Sequence, residues 1–427
     1  MLLVLLMLCA YYSVRTYRQQ QPEGPAAGEQ LAGQISSSIR KPSSVLIVAT
    51  KTELDARFAD ALEQRLRKAG YDVCGKTLGE PRDTRLAMDN LNKRGVDVAV
   101  IATTEQCAVW KVFESRAARF PHLANSQLLY PRAYNWPTFL KKSNLVNVAN
   151  QMVVIAVIAV GMTLVIITGG IDLSVGSLVA LCAVVVAMLI GKAGGDKATV
   201  SAVVLCGLAG IVACTLIGLV SGLLVTQLHL PPFIATLGMM QVARGIAYQL
   251  SNSNSFADIP SWFTWLGNGV GFFSIPHGVV LMLLVFVAAH ILMSRTTFGR
   301  YIYAVGGNRE AARLSGVRVR TVLLLVYVIC GATAGLGGVI LASQLKSGAP
   351  NYGANYELFA IAAVVVGGSS LSGGEGRVSG TLIGALIMGV IQNGMNLTGV
   401  GPYAQMIVTG VLLILAVSLD TFRRRRE

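Results

Sequence analysis

"GMTLVIITGGIDLSVGSLVAL", residues 161–181, is an apolar run, a glycine pair followed by an acid, and a second apolar run. A bilayer core takes about 20 apolar residues to cross as a helix. Read outward from here, the chain holds candidate spans at about 146–167, 172–190, 200–226, 233–250, 277–294, 321–344, 356–368, 378–397 and 403–419. The 427 residues are 53% hydrophobic and 13% charged, about half the charge of an ordinary soluble protein. Most of that charge lies before Lys142, between Arg295 and Arg320, or in the final "RRRR". These features indicate an integral membrane protein.

The net charge of +14 would suggest nucleic acid in a soluble chain. Here it fits the gathering of Lys and Arg on cytoplasmic loops, and no nucleic-acid partner is expected. The seven cysteines form no CxxC pair, and His122, His229, His277 and His290 share no ligand spacing, so neither a disulfide framework nor a metal site is expected. The opening "MLLVLLMLCAYYSV" suits a signal core or a slightly short membrane helix; without an evident cleavage site it is read as an uncleaved first span, 1–18. "QQQPEGPAAGEQ" begins a stretch, 19–42, read as a flexible linker.

From Ser43 strand-like and helix-like segments alternate: "SVLIVAT", "ELDARFADALEQRLRKAG", "YDVCGKTL", "DTRLAMDNLNKRG", "VDVAVIAT" and "EQCAVWKVFESRAARF". This pattern predicts a small parallel α/β unit over 43–130. Within it "GYDVCGKT", Gly70 to Thr77, matches the phosphate-loop pattern. Such a loop needs a strand before its first glycine and a helix after its Lys-Ser/Thr. Here a helix precedes Gly70 and "GEPRD" breaks the chain after Leu78, so a helix stop followed by a strand is preferred. "LSGGE" (Leu371 to Glu375) and Asp420 imitate other ATPase motifs, but each adjoins an apolar span and no soluble ATPase domain surrounds them. No ATP hydrolysis is expected of this chain.

"GGIDLSVG" and "GGSSLSGG" share G-G-x-x-L-S-x-G, through Gly169, Gly170, Asp172, Ser174 and Gly176, and through Gly367, Gly368, Ser372 and Gly374. Two readings stand: glycine turns between close-packed helices, or helix breaks along a substrate path. Asp172 is either a path residue or a helix cap. In "GRYIYAVGGNREAARLSGVRVR", residues 299–320, Asn308 is a good N-cap and Gly316 a good C-cap for about two helical turns. That short helix, with Ala311, Ala312 and Leu314, either docks into another protein or is a solvated connector. Arg295, Arg300, Arg309, Arg313, Arg318 and Arg320 oppose one acid, Glu310, which puts this loop and the 421–427 tail in the cytoplasm and the α/β segment outside.

The stretches "GMTLVIITGGIDLSVGSLVAL", "PPFIATLGMM", "GRYIYAVGGNREAARLSGV", "IAAVVVGGSSLSGGEGRVSGTLIGALIMGVIQNGMNL" and "YAQMIVTGVLLILAV" closely resemble permease subunits of ribose-type ABC importers, from about Asn147 to Leu419. The α/β segment resembles the first lobe of periplasmic sugar-binding proteins, through "KAGYDV" and "NLNKRGVDVAVIAT". The resemblance implies a mostly α, polytopic fold of about ten helices, with a multi-span domain over 146–420; in such permeases the first span leads almost directly into the second, whereas here the α/β domain is inserted between them. It implies a homodimer in the plasma (inner) membrane, a separate ATPase that holds ATP and Mg, and a periplasmic binding protein that delivers sugar. It places the ATPase contact on Asn308, Arg309, Glu310, Ala311, Ala312, Arg313 and Gly316. Gln241, Gln344, Asn393 and Asn396 are pore-lining candidates by residue type. Rival readings are an ion-coupled transporter using Asp172, and a receptor using the lobe as sensor.

Overall fold

The structure is a computed structural model and describes residues 1–271 and 275–424. The side chain of Asp420 and tail residues 425–427 lie outside the described residues. The chain divides into two compact units, Tyr17–Thr138 and the remainder.

In the smaller unit, α2 (Gly24–Ser38) precedes an alternation of β2 (Ser44–Ala49), α3 (Glu53–Lys68), β3 (Asp72–Leu78), α4 (Pro81–Lys93), β4 (Val100–Thr103) and β5 (Gln127–Leu129). The sheet runs β3-β2-β4-β5 with every pairing parallel. β1 (Tyr17–Gln20) pairs antiparallel with β6 (Tyr134–Pro137). The central strand β2 is apolar and buried from Val45 to Ala49, as a strand covered on both faces must be. Val45, Ile47 and Ala49 pack with Phe58, Leu62 and Leu66 of α3 and with Leu31 and Ile35 of α2. Leu46 and Val48 face Met88, Leu91 and Phe113 on the other side. Gly75 to Thr77 lie inside β3, paired with Leu46 to Val48, so the "GKT" backbone is part of the sheet rather than a phosphate cradle.

Two local expectations are corrected here. The supposed linker 19–42 carries helix α2, whose Ala27, Leu31 and Ile35 are buried; their four-residue spacing gives it an apolar stripe that docks on α3. The helix expected over "EQCAVWKVFESRAARF" is three short pieces, Glu105–Ala108, Lys111–Glu114 and Arg116–Arg119. Cys107 and Phe113, with Phe120 just after the last piece, are buried, too widely spaced to form a continuous stripe.

The larger unit holds α1 (Leu2–Arg15), α5 (Lys142–Ile167), α6 (Val175–Lys192), α7 (Val200–Thr226), α8 (Pro232–Ser251) and α9 (His277–Arg295). It continues with α10 (Thr297–Gly307), α11 (Arg309–Leu314), α12 (Val319–Leu345), α13 (Tyr356–Val366), α14 (Val378–Leu397) and α15 (Pro402–Arg424). Among the described residues, six of these are long and apolar enough to cross a membrane: α5, α6, α7, α9, α12 and α14. α1, α13 and the Pro402–Leu415 part of α15 are apolar but shorter. At 14 residues, α1 spans about 21 Å, less than a bilayer core of about 30 Å. Its Tyr12 is buried with Phe139, Val148 and Val390. α5 lies at the centre, 89% of its apolar window being buried, whereas α7 and α9 are 33% buried and form the periphery. α7 and α12 approach closely where Gly218 meets the Tyr327 carbonyl and Gly331 the Cys214 carbonyl, the small-residue contact that membrane helices favour.

Candidate functional site

Each glycine pair ends a helix, and both ends are built alike. At the close of α5, Gly169 N–H donates to the Ile166 carbonyl (2.9 Å) and Gly170 N–H to the Val165 carbonyl (3.0 Å), with Gly169 at φ +74°. At the close of α13, Gly368 N–H donates to Val365 (2.9 Å) and Ser369 N–H to Val364 (3.1 Å), with Gly368 at φ +90°. Both are Schellman caps, whose left-handed residue glycine supplies at no steric cost. The caps are offset by one within the shared pattern, since the first glycine of the first pair and the second glycine of the second pair take the left-handed position.

A Schellman cap leaves later carbonyls open, and those of α5 are taken by two distant segments. The Ile167 carbonyl accepts from Gly374 N–H at 2.8 Å. The Thr168 carbonyl accepts from Arg309 Nη2 at 3.0 Å. α10 seals the third side: Gly306 packs so tightly on the Ile167 carbonyl and the Gly374 amide that a Cβ there would collide with both. Tyr303 Oη donates to the Gly376 carbonyl at 2.8 Å. Gly169 lies beside Ser372 and Arg309. One joint therefore unites the end of α5, the 367–376 turn and the α10–α11 corner.

On the outer side of that joint stands α11. Asn308 Oδ1 accepts from Ala311 N–H at 3.0 Å, and Gly316 closes the helix at φ +87°. Glu310 and Arg313 pair at 2.8 Å, both exposed. Ala312 is buried, while Leu314 is 82% exposed. Beside the helix lies a concavity of about 290 Å³ lined by Phe298, Tyr301, Gly316, Arg318 and Leu325 among others.

Asp172 lies apart from these contacts. It is fully buried, and its Oδ1 accepts from the Ser174 amide (2.9 Å) and Ser174 Oγ (2.6 Å). It thus holds the turn into α6 rather than the amides further along the helix. Its polar neighbours among the described residues are the Cys330 thiol and the Tyr327 hydroxyl. Gly176 is brought elsewhere, against Gly353 and Glu357. The four pore candidates are scattered. Gln241 is exposed on α8. Gln344 Nε2 donates to the Asn150 carbonyl at 3.2 Å. Asn393 pairs with Asn144 at 3.0 Å in both directions. Asn396 Oδ1 accepts from Gln405 at 2.7 Å. Tyr303 and Gly306 join the site unforeseen from the sequence; their signal is the glycine pair in "VGGN", directly before the Asn308 cap.

Residues 144–417 match the family described as branched-chain amino acid transport system / permease component. The chain belongs to this permease family. It is 46% identical over 288 residues to the ribose import permease protein RbsC of Escherichia coli K12, which covers 66% of this chain and 87% of that one. It is 43% identical over 285 residues to RbsC of Bacillus subtilis 168, covering 66% and 86%. It is 35% identical over 332 residues to the L-arabinose ABC transporter permease protein AraH of Azospirillum brasilense, covering 78% and 94%. No solved structure matches. The expected kinship with permease subunits of ribose-type ABC sugar importers is thereby shown, and the permease is a multi-pass membrane protein whose relatives are transport subunits rather than enzymes.

Proposed function

We propose that this permease is the membrane subunit of an ATP-driven importer of a monosaccharide such as ribose, and that its energy arrives through α11. The observation that carries this reading is the contrast within one short corner. Leu314 is 82% exposed, as a side chain made to enter a partner's groove. Five residues before it, at the other end of the same short helix, Arg309 binds the Thr168 carbonyl at the end of the central helix. A partner that moves α11 therefore pulls on α5 directly. Asp172, which an ion-coupled transporter would need within reach of solvent, is fully buried and locally bonded, which favours the ATP-driven reading.

In this reading the cytoplasmic ATPase binds ATP and Mg, and this chain performs no covalent chemistry. The six long helices, together with α1, α8, α13 and α15, make up a ten-helix membrane domain, and two copies enclose the pore. The arginine-bearing 295–320 loop and the C-terminus face the cytoplasm. The α/β lobe faces the periplasm, where a binding protein delivers the sugar. The test is to co-express the full chain with an ABC ATPase and a sugar-binding protein, purify by a tag on the chain, and measure uptake in proteoliposomes. ATP-dependent uptake, with the ATPase lost from the complex in Leu314→Asp, is the expected result. Uptake or nucleotide hydrolysis by the chain alone overturns the reading.

A further inference from the structure

Two helices of the larger unit begin well inside the apolar layer. Gly170 lies against the Tyr327 hydroxyl and the Val179 carbonyl against Gly338; Tyr327 and Gly338 are interior positions of α12, so α6 starts alongside the middle of that helix. α13 has only 11 residues. Their first turns meet. Gly176 packs against the Gly353 carbonyl and Gly353 against the Gly176 carbonyl, and the Glu357 carboxylate tip fills the space beside Gly176. The chain reaches this point through irregular backbone between α12 and α13, passing the Ala183 carbonyl at Gly348. Non-helical backbone at such depth persists where it is enclosed in protein or lines a wet cavity.

The irregular stretch is gripped from α8. Arg244 Nη1 donates to the Pro350 carbonyl (2.6 Å) and the Tyr352 carbonyl (2.7 Å). Asn355, at φ +66°, takes the left-handed conformation that asparagine tolerates better than most residues. Arg244 and Glu357 are half-buried, while Asn351, Asn355 and Gln241, one helical turn before Arg244, are exposed on a single chain. An arginine, a glutamate and three carboxamides are costly against acyl chains, so this face belongs to protein or to a polar path.

We propose that Gln241, Asn351, Asn355 and Glu357 form a sugar-contacting station midway along the conduit, held in shape by Arg244 as a positioning residue. The chemistry selects an uncharged polyol. Each sugar hydroxyl both donates and accepts, Glu357 accepts, and the carboxamides do either. Arg244 and Glu357 carry opposite charges and together give the face no net charge, which suits a neutral ligand. The paired N-terminal turns of α6 and α13 add amide dipoles at the same depth.

The station rests on the permease reading, and the test separates the two. The full chain, with its ATPase and binding protein, is reconstituted as wild type, Glu357→Gln and Gln241→Leu. Uptake of radiolabelled ribose is measured at saturating binding protein, with arabinose in parallel. Loss of a hydrogen bond to a charged group lowers the rate by about tenfold, and the two sugars are affected unequally, while thermal stability and ATPase co-purification stay at wild-type levels. A changed ribose-to-arabinose ratio in either variant supports the station, because a merely structural role lowers both rates together. Wild-type transport with both variants unchanged in rate and ratio overturns the station alone. A wild type that moves no sugar overturns the permease reading and the station with it.

Discussion

Replacing Gly306 and Gly307 by alanine, one at a time, separates the joint from the helix that carries it. The two glycines are neighbours at the end of α10, so their helix propensities and depths are nearly equal. Their surroundings differ completely. A Cβ at Gly306 runs into the Ile167 carbonyl and lies 2.6 Å from the Gly374 amide nitrogen, both backbone atoms that cannot rotate aside, whereas nothing lies within 4 Å of a Cβ at Gly307. Overpacking of this kind costs about 1–3 kcal/mol. Exchanging a helical glycine for alanine returns about 0.5–1 kcal/mol. Gly307→Ala should therefore be neutral or slightly stabilising, and Gly306→Ala should lose about 0.5–2 kcal/mol. The same displacement parts the 2.8 Å bond between Gly374 and Ile167. The assay is thermal unfolding of the detergent-purified chain beside ATP-driven uptake in vesicles. Gly306→Ala is expected to unfold earlier and to transport poorly with the ATPase still bound, and Gly307→Ala to match wild type. Two variants indistinguishable in both measurements would refute the joint.

Three further outcomes follow from individual contacts. Arg309→Ala removes the 3.0 Å bond to the Thr168 carbonyl; uptake should fall by about tenfold or more, the effect of one charge-assisted bond, with partial recovery in Arg309→Lys measured in the same vesicles. Phe58→Ala empties a fully buried position in the α/β lobe and should cost about 3–5 kcal/mol, seen as rapid proteolysis of the lobe in the intact chain. Hydrogen bonding by Lys76 holds the Glu63 carboxyl below its ordinary range, and Asp60 and Glu63 raise the Lys76 ammonium above its own. The Glu63 contribution is present above the usual carboxylate range and fades as pH falls through its lowered value; that of Lys76 is present below the usual ammonium range and fades as pH rises through its raised one. Proteolysis of the lobe should accordingly be slowest between those limits, and Lys76→Met should flatten the profile.

The membrane helices were legible because each apolar run is a local property of the chain. The expected span at 200–226 is α7 to the residue, and that at 378–397 is α14. α2 was hidden for the opposite reason: its Pro, Gly and Gln content resembles a linker, and its stripe of Ala27, Leu31 and Ile35 gains meaning only against α3. The same limit governs the site. The caps of α11 are written in Asn308 and Gly316, neighbours in sequence, whereas Arg309 meets a carbonyl 141 residues away. Residue type alone does not show what a polar side chain meets: Asn393 bonds Asn144, 249 residues away. A lone arginine in "QVARGIA" is the better signal, since an ion in an apolar run needs a partner that the fold must provide.

The repeated glycine pattern was legible as a repeat but not as a device, and its one-residue offset shows what the repetition preserves. If the pattern were kept for the turn residues themselves, the left-handed position would fall on the same glycine in both copies; it falls on Gly169 in one and Gly368 in the other. What the two copies share is the outcome: each stops a helix at one level. α5 is thereby left with two open carbonyls, and the 367–376 turn is free to supply the Gly374 amide to one of them. Arg309 takes the other. A helix end satisfied entirely by its own cap would have nothing to exchange with a moving neighbour. One whose last carbonyls are bonded to two separate segments is constrained to move when either segment does, and at this position in the chain one of those segments carries the exposed Leu314.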